Sequence, residues 1–174
     1  PGGFLQATIE GENAILESVM LGLDENKKTK LVCELFCGSG TITLPLLKKP
    51  YQIHAFELDK ESLKSLDIAA RKESFGNRVK TKVRDLKNFP LTSDELSKYD
   101  AIIVDPPRSG AKLQFLNIAR SNVSIIVSIS CNVNTFVRDA KILIESNYEL
   151  KWVQPIDQFL FSAHVELVAI FKLK

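Results

Sequence analysis

The residues best placed for chemistry are a thiol and two carboxylates, each at the end of an apolar run. Cys131, in Ser130-Cys131-Asn132, follows one such run and precedes a segment of helical period. A thiol between a strand end and a helix N-terminus feels the positive end of the helix dipole and can be acidified. Glu166 is the one charged position in Val165-Glu166-Leu167-Val168-Ala169-Ile170-Phe171. A carboxylate there is costly unless it is paired or used; the plainer alternative is an edge-exposed glutamate. Asp105 opens Asp105-Pro106-Pro107-Arg108-Ser109-Gly110. Each proline fixes its own backbone and forces the preceding residue extended, making a stiff shelf that aims Asp105 outward.

A second set of residues is suited to holding a nucleoside. In Glu34-Leu35-Phe36-Cys37-Gly38-Ser39-Gly40-Thr41, Gly38 and Gly40 let the backbone approach a ligand and turn into a helix. The turn is shorter than the full dinucleotide fingerprint, so a plain strand-to-helix turn is the competing reading. Glu57 ends the next apolar run, 17 residues beyond Gly40, where a carboxylate can accept both ribose hydroxyls. Asp59 is the better helix-capping acid of that pair. Asp85, just past a third run, is a candidate for an adenine edge, or a plain loop acid. Cys33 lies inside a run and reads as an inert core thiol; Cys37 is ambiguous. No metal site is expected, since spacing and companion histidines are lacking.

These positions make sense only on a particular scaffold. Glu12 to Gly22 carries Ile15, Leu16, Val19, Met20 and Leu23 at helical spacing. Strand-length runs then recur at Leu31–Phe36, Tyr51–Glu57, Arg78–Arg84, Tyr99–Val104 and Val123–Ser130. Helical segments separate them near Thr41–Lys48, Lys60–Ser74, Ala111–Arg120 and Asn134–Ser146. Leu63, Leu66 and Ala70 mark the core side of the second. Phe136, Val137, Ala140, Leu143 and Ile144 mark that of the last. Tyr148–Val153 and Val165–Leu173 close the chain with no helix between them. Alternation implies a parallel sheet covered on both faces, and the final break implies an antiparallel last strand. The expected fold is α/β: a seven-stranded, mostly parallel Rossmann-like sheet of the class I methyltransferase type. On it, Glu166 at the start of an antiparallel strand faces the same crevice as Cys131 and Asp105.

At 174 residues, 45% apolar and 25% charged, the chain is one globular domain. A chain of this size buries roughly 70% of its unfolded surface. No apolar run approaches the ~20 residues of a membrane span, and no signal peptide is visible. The net charge of +2 excludes a strongly basic nucleic-acid binder, and Lys27, Lys28 and Lys30 read as a solvated loop. Three cysteines fit a reducing cytoplasm rather than a disulfide framework. The chain enters a patterned segment at Pro1 without an initiator Met, which reads as a fragment of a longer protein.

The motifs resemble one family. Phe4-Leu5-Gln6, Leu35-Phe36-Cys37-Gly38-Ser39-Gly40-Thr41, Asp105-Pro106-Pro107-Arg108-Ser109-Gly110, Ser130-Cys131-Asn132 and His164-Val165-Glu166 recur in this order in the RNA 5-methyluridine methyltransferases. The similarity is greatest to the bacterial 23S rRNA branch and covers the whole chain, 1–174, as that family's C-terminal catalytic domain. The resemblance implies that Gln6, Phe36, Glu57 and Asp105 bind S-adenosylmethionine or line its pocket, with Gly38, Gly40, Thr41 and Asp85 around it. It implies Cys131 as nucleophile, Glu166 as base and RNA as substrate, ribosomal ahead of transfer RNA, for a monomeric protein. Val133 replaces the family's usual proline and Thr8 its frequent asparagine; neither is a reacting group. The family's N-terminal RNA-binding part, with the iron–sulfur cysteines of some members, is not in this sequence.

Three other readings compete. An amino-group methyltransferase also uses an Asp-Pro-Pro shelf but usually follows it with an aromatic residue, where this chain has Arg108. A nicotinamide oxidoreductase lacks its second substrate domain here. A non-catalytic RNA-binding module would have no need of Cys131, Glu166 and Asp105.

Overall fold

The computed structural model describes residues 8–158 and 165–174, so Gln6 and His164 lie outside the described residues. Helix α1 (Ile9–Asp24) starts at Thr8, whose Oγ1 accepts from the Gly11 amide at 2.9 Å. It buries Ile15, Val19 and Leu23 along one stripe. The strands β1 (Leu31–Leu35), β2 (Gln52–Glu57), β3 (Val79–Val83), β4 (Ala101–Val104) and β5 (Ile125–Ser130) follow. Between them run α2 (Thr43–Leu46), α3 (Lys60–Lys72), α4 (Ser93–Leu96) and α5 (Lys112–Ile118). Helix α6 (Val133–Ile144) leads to β6 (Tyr148–Ile156) and β7 (Glu166–Leu173).

The seven strands form one sheet in the order β3-β2-β1-β4-β5-β7-β6. The first five pair in parallel, and β7 lies antiparallel between β5 and β6. The antiparallel ending read from the sequence is therefore present. Every residue of β4 and β5 is buried, which is why their sequences are nearly continuous Ile and Val. Successive strand residues face opposite sides. Cys33, Leu35, Ile102 and Val104 join Phe115, Phe136 and Leu143 on the α5–α6 side. Val32, Ile53, Ile103 and Val127 join Ile15, Val19 and Leu46 on the other. Gly22 of α1 sits where a Cβ would run into the Ile170 side chain, so this helix can approach β7 only with glycine there.

Sequence patterning and structure part at three places. Helix α4 has one turn, too short for a periodic signal, yet its start is encoded. Thr92 and Glu95 form a reciprocal capping box, with Glu95 N–H on Thr92 Oγ1 and Thr92 N–H on Glu95 Oε2. Helix α2 shrinks to four residues, and Pro45 within it has no amide to donate. On α6, Phe136, Ala140 and Leu143 are buried as expected, but Val137 and Ile144 are exposed. The helix packs by a stripe narrower than its apolar composition.

Candidate functional site

Strand order reverses about β1, which has β2 on one side and β4 on the other. A ligand crevice is expected there, outside the carboxyl ends of the strands. A cavity of about 580 Å³ occupies that place. Phe36, Gly38, Thr41, Glu57, Asp85, Asp105, Cys131 and Glu166 all line it. Two sets of residues that were separate in the sequence thus share one space. Of the two other site residues expected from the sequence, Gly40 does not line the cavity and Gln6 is outside the described residues.

The end expected to hold a nucleoside is built on the turn after β1. Phe36 takes a left-handed backbone at φ 64°, unusual for a residue with a side chain, and its amide donates to Phe56 O at 2.9 Å. Gly38 (φ 53°) is open, and a Cβ there would meet no atom within 4 Å. Gly40 differs. It does not line the cavity, and at φ 90° its missing side chain makes room for Leu66 of α3. Sequence reasoning assigned both glycines to the ligand; the structure gives Gly38 to the crevice and Gly40 to helix packing.

Glu57 ends β2 with its carboxylate held by three amides. Oε2 accepts from Gly38 N at 3.0 Å, and Oε1 accepts from Leu58 N at 2.7 Å and Asp59 N at 3.0 Å. It ties the glycine turn to β2 while keeping lone pairs for a ligand in the cavity. Asp59 is the capping acid, accepting from the Glu61 and Ser62 amides of α3. Asp85 lines the cavity, but its carboxylate also accepts from Lys87 N, Asn88 N and Asn88 Nδ2, which holds it below the usual range. Sequence reasoning passed over Glu34, which is buried in β1, lines the cavity and accepts from Thr43 Oγ1 at 2.6 Å. Burial, and next the neighbouring Asp105 charge, outweigh that hydrogen bond and push its carboxyl up to about 8. The signal was available: a glutamate in an apolar strand, the argument that singled out Glu166.

The end expected to be reactive gathers Asp105, Cys131 and Glu166. The antiparallel register pairs Ser130 with Leu167, which sets the start of β7 beside the end of β5. Glu166 is 3% exposed and its carboxyl is raised by burial. Asp105 is pushed up to about 7, by burial first and then by Glu166. The thiol corrects an expectation. Cys131 is raised, not acidified, because burial and the charges of Glu166 and Asp105 outweigh Arg108 and the thiol's own backbone hydrogen bond. Cys33 is fully buried in β1 and raised well above the ordinary thiol value, chiefly by burial, in keeping with an inert thiol. Cys37 lines the cavity but is buried and likewise raised.

Helix α6 fastens the shelf to the thiol loop. Asn132 caps α6, accepting from Asn134 N at 3.0 Å, and its Nδ2 donates to Arg108 O at 3.3 Å. Thr135 Oγ1 donates to the same carbonyl at 3.2 Å, and Arg138 Nη2 donates to Ser109 O at 3.1 Å. Asp139, 3% exposed, accepts from Ala111 N at 2.9 Å and pairs with Arg138. Gly110 (φ 70°) lies so close under this cluster that a Cβ would strike Arg138 Nη2.

The fold is that of the S-adenosylmethionine-dependent methyltransferases. The tRNA (uracil-54, C5)-methyltransferase of Pyrococcus abyssi, solved with S-adenosyl-L-homocysteine, matches with a TM-score of 0.83 at 23% identity, over 98% of this chain and 40% of that one. Magnesium protoporphyrin IX methyltransferase of Synechocystis, solved with bound S-adenosylmethionine, matches with a TM-score of 0.72 at 16% identity, over 95% and 81%. The chain belongs to the tRNA (uracil-5-)-methyltransferase family, whose model matches residues 2–173. A protein of Agrobacterium fabrum named as an uncharacterized RNA methyltransferase is 44% identical over 98% of this chain and 40% of its own length. One of Mesorhizobium japonicum, named in the same way, is 46% identical over the same shares. The chain therefore spans about two fifths of the length of these relatives.

Proposed function

We propose that this chain is the catalytic domain of an RNA uracil-C5 methyltransferase. It transfers the methyl group of S-adenosylmethionine to C5 of a uridine through a covalent bond between Cys131 Sγ and C6, in ribosomal RNA ahead of transfer RNA. The observation that carries this reading is one cavity lined by the Cys131 thiol, the Asp105 and Glu166 carboxyls, an open glycine turn and a strand-ending glutamate. An amino-group methyltransferase has no use for the thiol or for a carboxyl buried opposite it.

The residues fit the cofactor. Gly38 leaves open space for close backbone approach, and Glu57, fixed by three amides, presents its remaining lone pairs where ribose hydroxyls would lie. S-adenosylmethionine bound there supplies an electrophilic methyl group. Uracil C5 is a weak nucleophile, so Cys131, its thiol proton given up to water, first adds as the thiolate through Sγ to C6, and the electron pair of the C5–C6 double bond becomes available at C5. C5 takes the methyl group. Glu166 then removes the C5 proton, the double bond re-forms and the thiolate leaves. Burial raises Glu166, which makes its carboxylate a stronger base than an exposed glutamate. Asp105, pushed up to about 7, can hold a proton and donate to the uracil edge. A target in paired RNA has to be unstacked first. The three free thiols suit the reducing cytoplasm proposed for the enzyme, and among the described residues no helix is long and apolar enough to cross a membrane.

Glu166→Gln tests the assignment. The substitution keeps the shape but removes the proton acceptor, so addition and methylation proceed while elimination stalls. The expected result is a methylated protein–RNA adduct on a denaturing gel, dependent on Cys131 and on S-adenosylmethionine. Normal turnover with no adduct removes Glu166 as the base.

A further inference from the structure

A second cavity, of about 270 Å³, adjoins the first and belongs to none of the roles above. The two are continuous, since Phe36, Leu86, Lys87 and Pro107 line both. From that junction the groove runs between the loop after β3 and the start of α5, past Lys112 and Leu113 to Arg138 of α6. We propose that this groove binds the ribonucleotide flanking the target uridine, with the phosphate against Lys87 and Lys112 and the base against Pro107 and Leu113. This rests on the uracil-C5 reading of the main crevice.

Charge is the first argument. The chain as a whole carries only +2, yet among the described residues this groove is lined by Lys87, Lys112 and Arg138 and by no aspartate or glutamate. Arg138 is matched by Asp139 and held on Ser109 O, so it is a fixed wall, whereas Lys87 and Lys112 are exposed. A polyanion entering the crevice meets its local positive charge here, and phosphate contacts of this kind position a strand without reading its sequence.

Shape is the second. Leu113 is 55% exposed although it lines a concavity, and Pro107 beside it is also exposed. Apolar surface beside cations is what a stacked base with its phosphate requires, and single-stranded sites combine the two in this way. A uridine drawn into the crevice leaves its neighbour at the crevice mouth, on the side where Pro107 joins the two cavities. The groove wall is rigid there, because α6 fastens residues 108–111 by hydrogen bonds.

Binding and transfer are measured separately on the full-length protein, with RNA extracted from cells lacking the gene. Lys112 is chosen because it lines the groove and not the cofactor crevice. Lys112→Ala loses one phosphate contact. Counterion release of about 0.7 per contact on single strands predicts affinity for that RNA about fivefold weaker at 0.1 M salt, with the salt slope smaller by about 0.7. S-adenosylmethionine affinity stays unchanged. Lys64→Ala, on exposed α3 away from the groove, leaves RNA affinity unaltered. Equal RNA affinity of Lys112→Ala and the unaltered protein overturns the groove, and so does an equal loss in Lys64→Ala. Absence of methyl transfer by the unaltered protein overturns instead the reading of the crevice, while the affinity comparison still decides the groove.

Discussion

Glu34 gives the most quantitative handle on the crevice. Its carboxyl is pushed from an ordinary 4.5 to about 8, mainly by burial. A carboxyl with a raised folded pKa keeps its proton longer in the folded state than in the unfolded one. The stability it allows is therefore fully present below about pH 4.5 and is lost as pH rises to about 8. At about 1.4 kcal/mol per pKa unit, most of that loss, about 3 kcal/mol, falls between pH 5 and pH 8. Glu34→Gln keeps an acceptor for Thr43 Oγ1 but never ionises. The variant should match the original protein at pH 5 to within about 1 kcal/mol and exceed it by about 3–4 kcal/mol at pH 8. That excess corresponds to about 6–16 °C in Tm for a domain of this size. Thermal or urea unfolding of the two proteins side by side at pH 5, 6, 7 and 8 reads the difference directly, and groups common to both cancel. Parallel stability profiles across that range would refute the argument, because they would mean Glu34 ionises without strain in the folded protein.

Other outcomes follow from the same geometry. Cys131→Ala should bind S-adenosylmethionine normally by calorimetry and transfer no methyl group, while Cys33→Ala stays active with stability lower by about 1–2 kcal/mol; turnover by the Cys131 variant ends the covalent mechanism. Glu57→Ala should weaken cofactor binding by about 1–3 kcal/mol, since it also frees the Gly38 amide; unchanged affinity would remove the ribose clamp. Gly40→Ala should cost about 1–3 kcal/mol in unfolding experiments through its φ of 90° and the collision with Leu66, and a neutral result would contradict the packing role given to it.

Most of the scaffold was legible because its central strands are buried on both faces. Residues 101–104 and 125–130 carry so little besides Ile, Val and Ala that no other element fits them. The reactive end was legible for a related reason: Glu166 stands out only against an apolar strand, and the antiparallel turn of that strand places it. What stayed hidden depended on contacts distant in sequence. Nothing local to Gly38 and Gly40 tells that one faces a cavity and the other Leu66. The thiol of Cys131 looked acidified from its own helix, but burial raises it, and so do carboxylates on β7 and just after β4. Asp139 and Arg138 read as ordinary helix residues, and only the folded chain sets them against Ser109 and Ala111.

The insertion of β7 between β5 and β6 has a consequence for biosynthesis. Ribosomes release β5 well before β7, and until β7 arrives β5 has a bare edge of unpaired amides and carbonyls flanked by Ile and Val. Such an edge is a template for pairing with other chains. A nascent polypeptide halted before residue 166 would thus be adhesive and lack its glutamate at the same time. One zippering event, when β7 joins, would shield the sheet and bring Glu166 to the crevice together.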